Sequence, residues 1–442
     1  MIRPTKKMKH AHNISQQTGI TLIELMVAMA VSSVIILGIG NIFVSTKKSN
    51  VIHEEFARIQ ENARYTLETL STNIRNAGFF GCSSGQGLGT ITNSLNDTEE
   101  SAWNFETGLM GYEADDTDIG DTKVITTDTT GRAQSDWDTA AGLTSNGTAI
   151  AVNPETAITN LALPGSDILI LRTTNGTGVR IAGDNSSAQL FVEDTTSGYV
   201  TNSCPQNSGS GGLNVNGISG ICEGDVLLVS DCTKSQIFQA TGISTGGGTG
   251  SCDVTPCFNL VHSNNATFTP GNASPTWSTT ETYGLDSEIM QVITKTYFVG
   301  VAASGGEPSL YLRENNGTPE PIVEGIENMQ ILYGVDSTDD GIVDRYFSAN
   351  NVPDADGDAD TVFDGVISVK LSLLARTPQD LPGLNRTPAD YAGLTYNMVS
   401  PASPIIIDPV AASNATATDR RMRKVFNLTV NIRNKSLNAI TN

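Results

Sequence analysis

The sequence of 442 residues predicts an α+β protein, with one very long N-terminal helix packed on an antiparallel β-rich head that carries long loops and insertions. Three observations carry that expectation. Ile20 to Val44 is an apolar run with one charged side chain, Glu24. Apolar residues then continue at helical spacing to about Ala77. Beyond residue 160 the pattern changes to short runs of β-branched and aromatic residues, punctuated by Gly-, Asn- and Asp-rich stretches.

A helix of the length of Ile20–Val44 would measure about 37 Å, enough to cross a hydrocarbon core of roughly 30 Å with some tilt. The leader before it, residues 1–19, holds Arg3, Lys6, Lys7 and Lys9 and no acidic residue. By the positive-inside rule the leader stays cytoplasmic and everything after Val44 is sent outward. The pattern departs from an ordinary secretory signal, because the apolar run is too long and no small-x-small cleavage site follows it. The small residue, Gly19, stands before the run instead. A cut after Gly19 would remove the basic leader and make the apolar helix the new N-terminus. Glu24 would then be a carboxylate near the start of a membrane helix, which is costly unless a partner meets it.

From Lys47 onward Ile52, Phe56, Ile59, Ala63, Leu67, Leu70 and Ile74 recur at spacings of three or four, the apolar face of an amphipathic helix. Gly38, Gly40 and Asn41 weaken its middle, and Gly78 is a stop signal. The expected organisation is a leader 1–19, a helix 20–80 with 20–44 in the membrane, a loop-rich insertion 81–165, and a β-rich head 166–442. Strand patterns fall at 166–173, 189–193, 225–231, 235–243, 289–301, 309–313, 329–335, 362–375 and 424–433. A Pro-rich stretch, 377–409, reads as a long surface loop.

The formal net charge is −21, which disfavours nucleic acid as a partner because phosphate binding needs positive surface. The six cysteines, Cys82, Cys204, Cys222, Cys232, Cys252 and Cys257, all lie in the outward part. An even count in an exported chain points to disulfides, with the connectivity open. The alternative is a zinc site, but Cys252 and Cys257 have only His262 nearby.

Asp336, Thr338, Asp340 and Asp344 place oxygens at loop positions 1, 3, 5 and 9 of a calcium-loop pattern, with Gly341 at position 6. Position 12 is Phe347, so the bidentate Glu of that pattern is missing, and a solvated acidic turn is the competing reading. A second acidic cluster, Asp354 to Asp364, follows. No cofactor is required, and calcium is the one candidate. Gly242-Ile243-Ser244-Thr245-Gly246 fits a nucleophile-elbow spelling, but it runs into glycines and not into a helix. Gly85 to Gly89 lacks the strand–helix frame of a dinucleotide turn. An enzyme is not expected.

Gly19 followed by Ile20-Thr21-Leu22-Ile23-Glu24-Leu25 resembles the processing signal of type IV prepilins and type II secretion pseudopilins. The resemblance implies cleavage between Gly19 and Ile20 by a prepilin peptidase, and N-methylation at Ile20. Ile20 departs from the commoner Phe or Met at that position, and the leader is longer than in many major pilins. In that family the carboxylate at the position of Glu24 is thought to meet the N-terminal amine of a neighbouring subunit, so the resemblance makes Glu24 the subunit-docking residue. Segments Arg58–Cys82, Gly224–Cys232, Ile322–Asp336, Gly365–Arg376 and Arg420–Arg433 are similar to the PilW family of minor pilins, which is related to the J-type pseudopilins. Residues 85–160 and 377–410 carry no such resemblance.

The expectation is therefore a minor pilin that primes type IV pilus assembly and is incorporated near the pilus tip. The alternatives are a type II secretion pseudopilin and a pilus-carried calcium-dependent adhesin. Implied partners are the prepilin peptidase, the inner-membrane assembly platform, other minor pilins, the major pilin and a tip adhesin. The precursor would sit in the inner membrane with a periplasmic head, and then in the pilus at the cell surface.

Overall fold

The computed structural model describes residues 19–433 apart from 82–89, 106, 125–131, 142, 146–147, 152, 184–188, 194–198, 206–213, 246–251, 253–256, 265–266, 275, 278–281, 303, 339, 354–361, 380, 382–395, 399–404 and 409–420. Cys82, Gly85–Gly89, Asp354–Asp360 and most of the Pro-rich stretch lie outside the described residues.

Helix α1 runs from Leu22 to Arg75, 54 residues without a break. Gly38 and Gly40 lie inside it and do not interrupt it, since each weakens a helix by only about 1 kcal/mol relative to Ala. The chain divides into two units within this helix, residues 1–54 and 55–442. In the first unit every described residue up to Asn50 is exposed, and the large apolar side chains from Ile20 to Val44 are 50–78% exposed. One window of this helix has a mean hydropathy of 2.4, apolar enough to cross a membrane.

In the second unit the remaining part of α1 buries Ile59, Ala63, Thr66, Leu70, Ser71 and Ile74, one face at helical spacing. Of the expected face within this unit, Phe56 and Leu67 are half-buried. The helix ends where Asn76 and Ala77 donate to the carbonyls three residues back, Asn73 and Ile74. Gly78 follows with φ +71° and donates to the Arg172 carbonyl at 2.8 Å. It passes Gly108 so closely that a Cβ on Gly108 would collide with the Gly78 backbone.

Among the described residues, nine strands form the largest sheet. Its long members are Glu288–Gly300 and Ile168–Arg180, which pair antiparallel from Glu288 opposite Arg180 to Phe298 opposite Ile168. Val226–Ser230 and Lys234–Gln239 extend it on one side, and Leu109–Ala114 on the other. Ser309–Glu314 pairs with the second half of Glu288–Gly300. A second, four-stranded antiparallel sheet runs Arg345–Phe347, Ile326–Val335, Val366–Arg376, Arg423–Asn431. The strands expected at 166–173, 225–231, 235–243, 289–301, 309–313, 329–335, 362–375 and 424–433 are found with shifted ends as Ile168–Arg180, Val226–Ser230, Lys234–Gln239, Glu288–Gly300, Ser309–Glu314, Ile326–Val335, Val366–Arg376 and Arg423–Asn431. The strand expected at 189–193 is in a small sheet with Gly242–Thr245 and Cys257–Val261.

The stretch 81–165, read as a loop-rich insertion, is mostly short elements, yet it also supplies Leu109–Ala114 to the largest sheet. Trp103, Phe105, Tyr112 and Trp137 within it are all buried at 0–1% exposure. Two short strands, Tyr396–Met398 and Ile405–Asp408, lie in the Pro-rich stretch, and the second pairs parallel with Thr122–Val124.

One core joins the buried face of α1 to both large sheets through Leu169, Leu171, Tyr297 and Val299 on one and Ile331, Tyr333, Val369 and Leu371 on the other. All ten residues of Ile326–Val335 are buried. Ser166 and Asp167 stitch the sheets together. Asp167 donates its amide to the Met329 carbonyl and accepts from the amides of Ile331 (2.7 Å) and Ala114 (3.3 Å). A second core gathers Val179, Leu190, Leu227, Phe238, Leu260 and Trp277.

The disulfides fit the expected use of cysteine. Cys204 is bonded to Cys222, Cα atoms 5.7 Å apart, and Cys252 to Cys257, 6.4 Å apart. Cys232 is also disulfide-bonded.

Candidate functional site

The candidate site lies at the start of α1. Gly19, Ile20 and Thr21 precede the helix and are exposed, and nothing approaches within 4 Å of the position a Gly19 side chain would take. The Gly19–Ile20 peptide is thus an accessible, non-helical segment immediately before an apolar helix, as a peptidase substrate must be.

Thr21 is the N-cap of α1. The Thr21 hydroxyl accepts from the Glu24 amide at 3.3 Å, while Glu24 Oε2 accepts from the Thr21 amide at 2.9 Å and from the Thr21 hydroxyl at 2.8 Å. This is a capping box, two orphan backbone donors satisfied reciprocally. The carboxylate also sits in the first turn, where the helix dipole favours negative charge. The T-x-x-E spelling of Thr21 to Glu24 is the signal for it, and the sequence reading passed over it by treating Glu24 only as a charge. All the hydrogen bonds described for the carboxylate fall on Oε2, so Oε1 is the oxygen open to a second partner.

The acidic loop at 336–344 is an exposed turn. Asp336 accepts from the amides of Gly341 (2.7 Å), Thr338 (3.2 Å) and Asp340 (3.3 Å). Asp344 accepts from the amide and hydroxyl of Ser337, and those bonds hold its carboxyl below the usual range. Thr338 donates weakly to Asp344 at 3.4 Å. Among the described residues no three of His, Cys, Asp and Glu are grouped to hold a metal ion, and Asp339 is outside them.

Ser244 lies mid-strand, opposite Asn259, and not at a strand-to-helix turn. His262 is fully buried, stacked on Trp277 with ring centroids 3.8 Å apart, and among the described residues neither ring nitrogen has a hydrogen-bond partner. Burial pushes it down to about 4, so it is neutral.

Two buried carboxyls escaped sequence reasoning altogether. Asp167 is pushed up to about 8 by burial, and Glu113 is raised well above the usual range by burial and by Asp167. Glu113 accepts from the Thr117 hydroxyl and the Ala349 amide. Nothing in the local pattern of either residue marks it as an interior acid.

Residues 14–40 match the prokaryotic N-terminal methylation motif, and residues 296–434 match the family described as Type IV Pilus-assembly protein W. The second match contains the whole four-stranded sheet and the strand Ser309–Glu314. No curated protein matches the chain. Among solved structures, a type IV-like pilin from Thermus thermophilus is similar at 20% identity, with a TM-score of 0.16, over 32% of this chain and 67% of that one. The methylation motif spans the exposed Gly19–Ile20 peptide and the capping box, and a domain of the PilW family of type IV pilus proteins is matched in the C-terminal third of the chain.

Proposed function

We propose that this chain is a minor pilin that primes type IV pilus assembly and remains in the pilus near its tip. The N-terminal segment carries the reading: an accessible Gly19–Ile20 peptide before an exposed apolar helix, inside a matched methylation motif. Prepilin peptidase would cut after Gly19 and methylate Ile20. The helix then anchors the precursor in the inner membrane, with the head in the periplasm, and is handed to the assembly platform.

In the filament the same helix joins a bundle of pilin helices. Glu24 keeps its cap through Oε2 and offers Oε1 to the amine of a neighbouring subunit. Opposite charges attract strongly in a low-dielectric bundle, and leaving either one unpaired is costly. The head has many short sheets and no internal repeat, which suits a place made once per filament better than one repeated along the shaft.

Deleting the gene tests the role. Surface pili should disappear while protein secretion continues. Lost secretion with normal pili would move the chain to the type II secretion pseudopilins.

A further inference from the structure

The strand Arg423–Asn431 is the outer member of the four-stranded sheet, and among the described residues it pairs only with Val366–Arg376. Just beyond its two ends Thr377 donates its amide to the Met422 carbonyl, and Ile432 donates to the Ile367 carbonyl. That phase turns the backbone groups of Lys424, Phe426, Leu428 and Val430 toward Val366–Arg376, and those of Val425, Asn427, Thr429 and Asn431 outward. Among the described residues no backbone partner meets the outward set, and Asn427, Thr429 and Asn431 are exposed.

The other edges of the two large sheets are short or blocked. Thr90–Asn93, Trp137–Asp138 and Arg345–Phe347 have two to four residues, and Glu320–Glu324 carries Pro321 and a glutamate at each end. Arg423–Asn431 has nine residues in unbroken register, with no proline and no bulge. An open edge of that length templates unwanted pairing unless something covers it.

Direction and charge narrow what covers it. The strand runs beside the head's part of α1 in the same direction: Lys424 near its start stands over Phe56, and Ile432 just past its end lines a small cavity with Ala77. Arg421 and Arg423 are spent on Glu307 and Glu327. Lys424 is exposed, has no ion pair among the described residues, and lies 5.3 Å from the Phe56 ring centroid. No carboxylate stands on the strand, in a chain of net charge −21. A second copy fits poorly. Antiparallel pairing about a two-fold axis would run its residues 55–75 of α1 the opposite way, whereas chains inserted in one membrane run parallel. Parallel pairing about a two-fold axis would set Lys424 beside Lys424, like charge against like. A different pilin with its helix parallel to α1 meets neither obstacle. We propose that a strand from a neighbouring pilin subunit of different sequence completes this edge and sets a carboxylate beside Lys424. Main-chain bonds to Val425, Asn427, Thr429 and Asn431 hold it, and Lys424 selects it. The inference rests on the proposed function, which brings such neighbours alongside the chain.

The test uses the full-length chain in cells that make pili. Benzoylphenylalanine is placed at Asn427 or at Thr429, sheared filaments are irradiated, and the cross-linked product is identified by mass spectrometry. It should join the chain to a second protein that carries its own N-terminal methylation motif. With the probe at Asn427, Thr429→Pro removes an outward amide and no bond to Val366–Arg376, and Lys424→Glu reverses the charge. Each should lower the yield about fivefold or more, as loss of one hydrogen bond or ion pair would. Unchanged thermal unfolding of the purified variants shows that the fold is kept, and Lys424→Glu, which leaves the backbone alone, decides if Thr429→Pro unfolds. Filaments that contain the chain without a cross-link, a cross-link to a second copy or to a protein lacking the motif, or a yield unchanged in Lys424→Glu would overturn this inference alone. Absence of the chain from filaments would overturn the proposed function with it.

Discussion

Glu24 is at once the reciprocal cap of Thr21 and the carboxylate that would face a neighbouring amine, and substitution can separate the two. Glu24→Gln keeps a capping box, since Gln serves at that position as Glu does, but removes the charge. Thr21→Ala removes the cap, at a cost of about 0.5–2 kcal/mol to the first turn, and keeps the charge. Both variants should be cut after Gly19 and held in the membrane. Only Glu24→Gln should be depleted in sheared filaments relative to membranes, as read by quantitative immunoblotting. Equal depletion of Thr21→Ala would mean that the cap, and not the charge, governs incorporation. Elsewhere two groups tilt stability with pH in opposite senses. His262 has a folded pKa of about 4 against an ordinary 6.5, so it contributes stability above pH 6.5 that is lost as pH falls toward 4, on the order of 3 kcal/mol in full. Asp167, at about 8 against 3.8, holds a proton that the unfolded chain releases, so its contribution is present in acid and lost as pH rises through 8. Thermal unfolding of His262→Phe should show a flattened acid limb. Asp167→Asn should show a flattened limb between pH 5 and 8, on top of a uniform loss of about 1–3 kcal/mol from mispairing one of its two amide donors. An acid limb unchanged in His262→Phe would contradict the neutral buried imidazole.

The lower part of α1 is held by burial at single positions. Leu70 and Ile74 are fully buried, and Leu70→Ala should cost about 2–5 kcal/mol in denaturant unfolding of the head. The four-stranded sheet has an electrostatic clasp in addition. Glu327 accepts from Arg376 at 2.8 Å and from both Nε and Nη2 of Arg423, and all three are nearly fully buried. Arg376 continues to Glu307, which also meets Arg421. Glu327→Gln leaves two buried guanidiniums short of charge and should destabilise by about 3–5 kcal/mol, more than Leu→Ala at a half-buried site. At this scale the sequence was legible wherever a pattern alternated or kept helical spacing. The strands from Glu288, Ser309, Val366 and Arg423, and the whole of α1, were visible in that way. Leu109–Ala114 was not, because all six residues are buried and no alternation survives. Its buried Glu113 reads as polar, and only the bonds it accepts from the Thr117 hydroxyl and the Ala349 amide explain it. The methylation motif around Gly19 and Ile20 was legible, while the capping box was spelled out in the sequence and missed.

The whole molecule combines an exposed apolar helix that begins inside a matched methylation motif with a large disulfide-bonded head that carries the PilW domain. On the proposed function, the same 25 residues from Ile20 to Val44 anchor the chain in the membrane before assembly and pack in the filament after it. Its net charge of −21 disfavours nucleic acid as a partner. The account depends most on the processing step. Mass spectrometry of the N-terminal peptide from sheared filaments tests it directly: the chain should begin at Ile20, carry one added methyl group on its amine, and lack the basic leader. A filament-borne chain still beginning at Met1, or the absence of the chain from filaments of cells that express it, would contradict it.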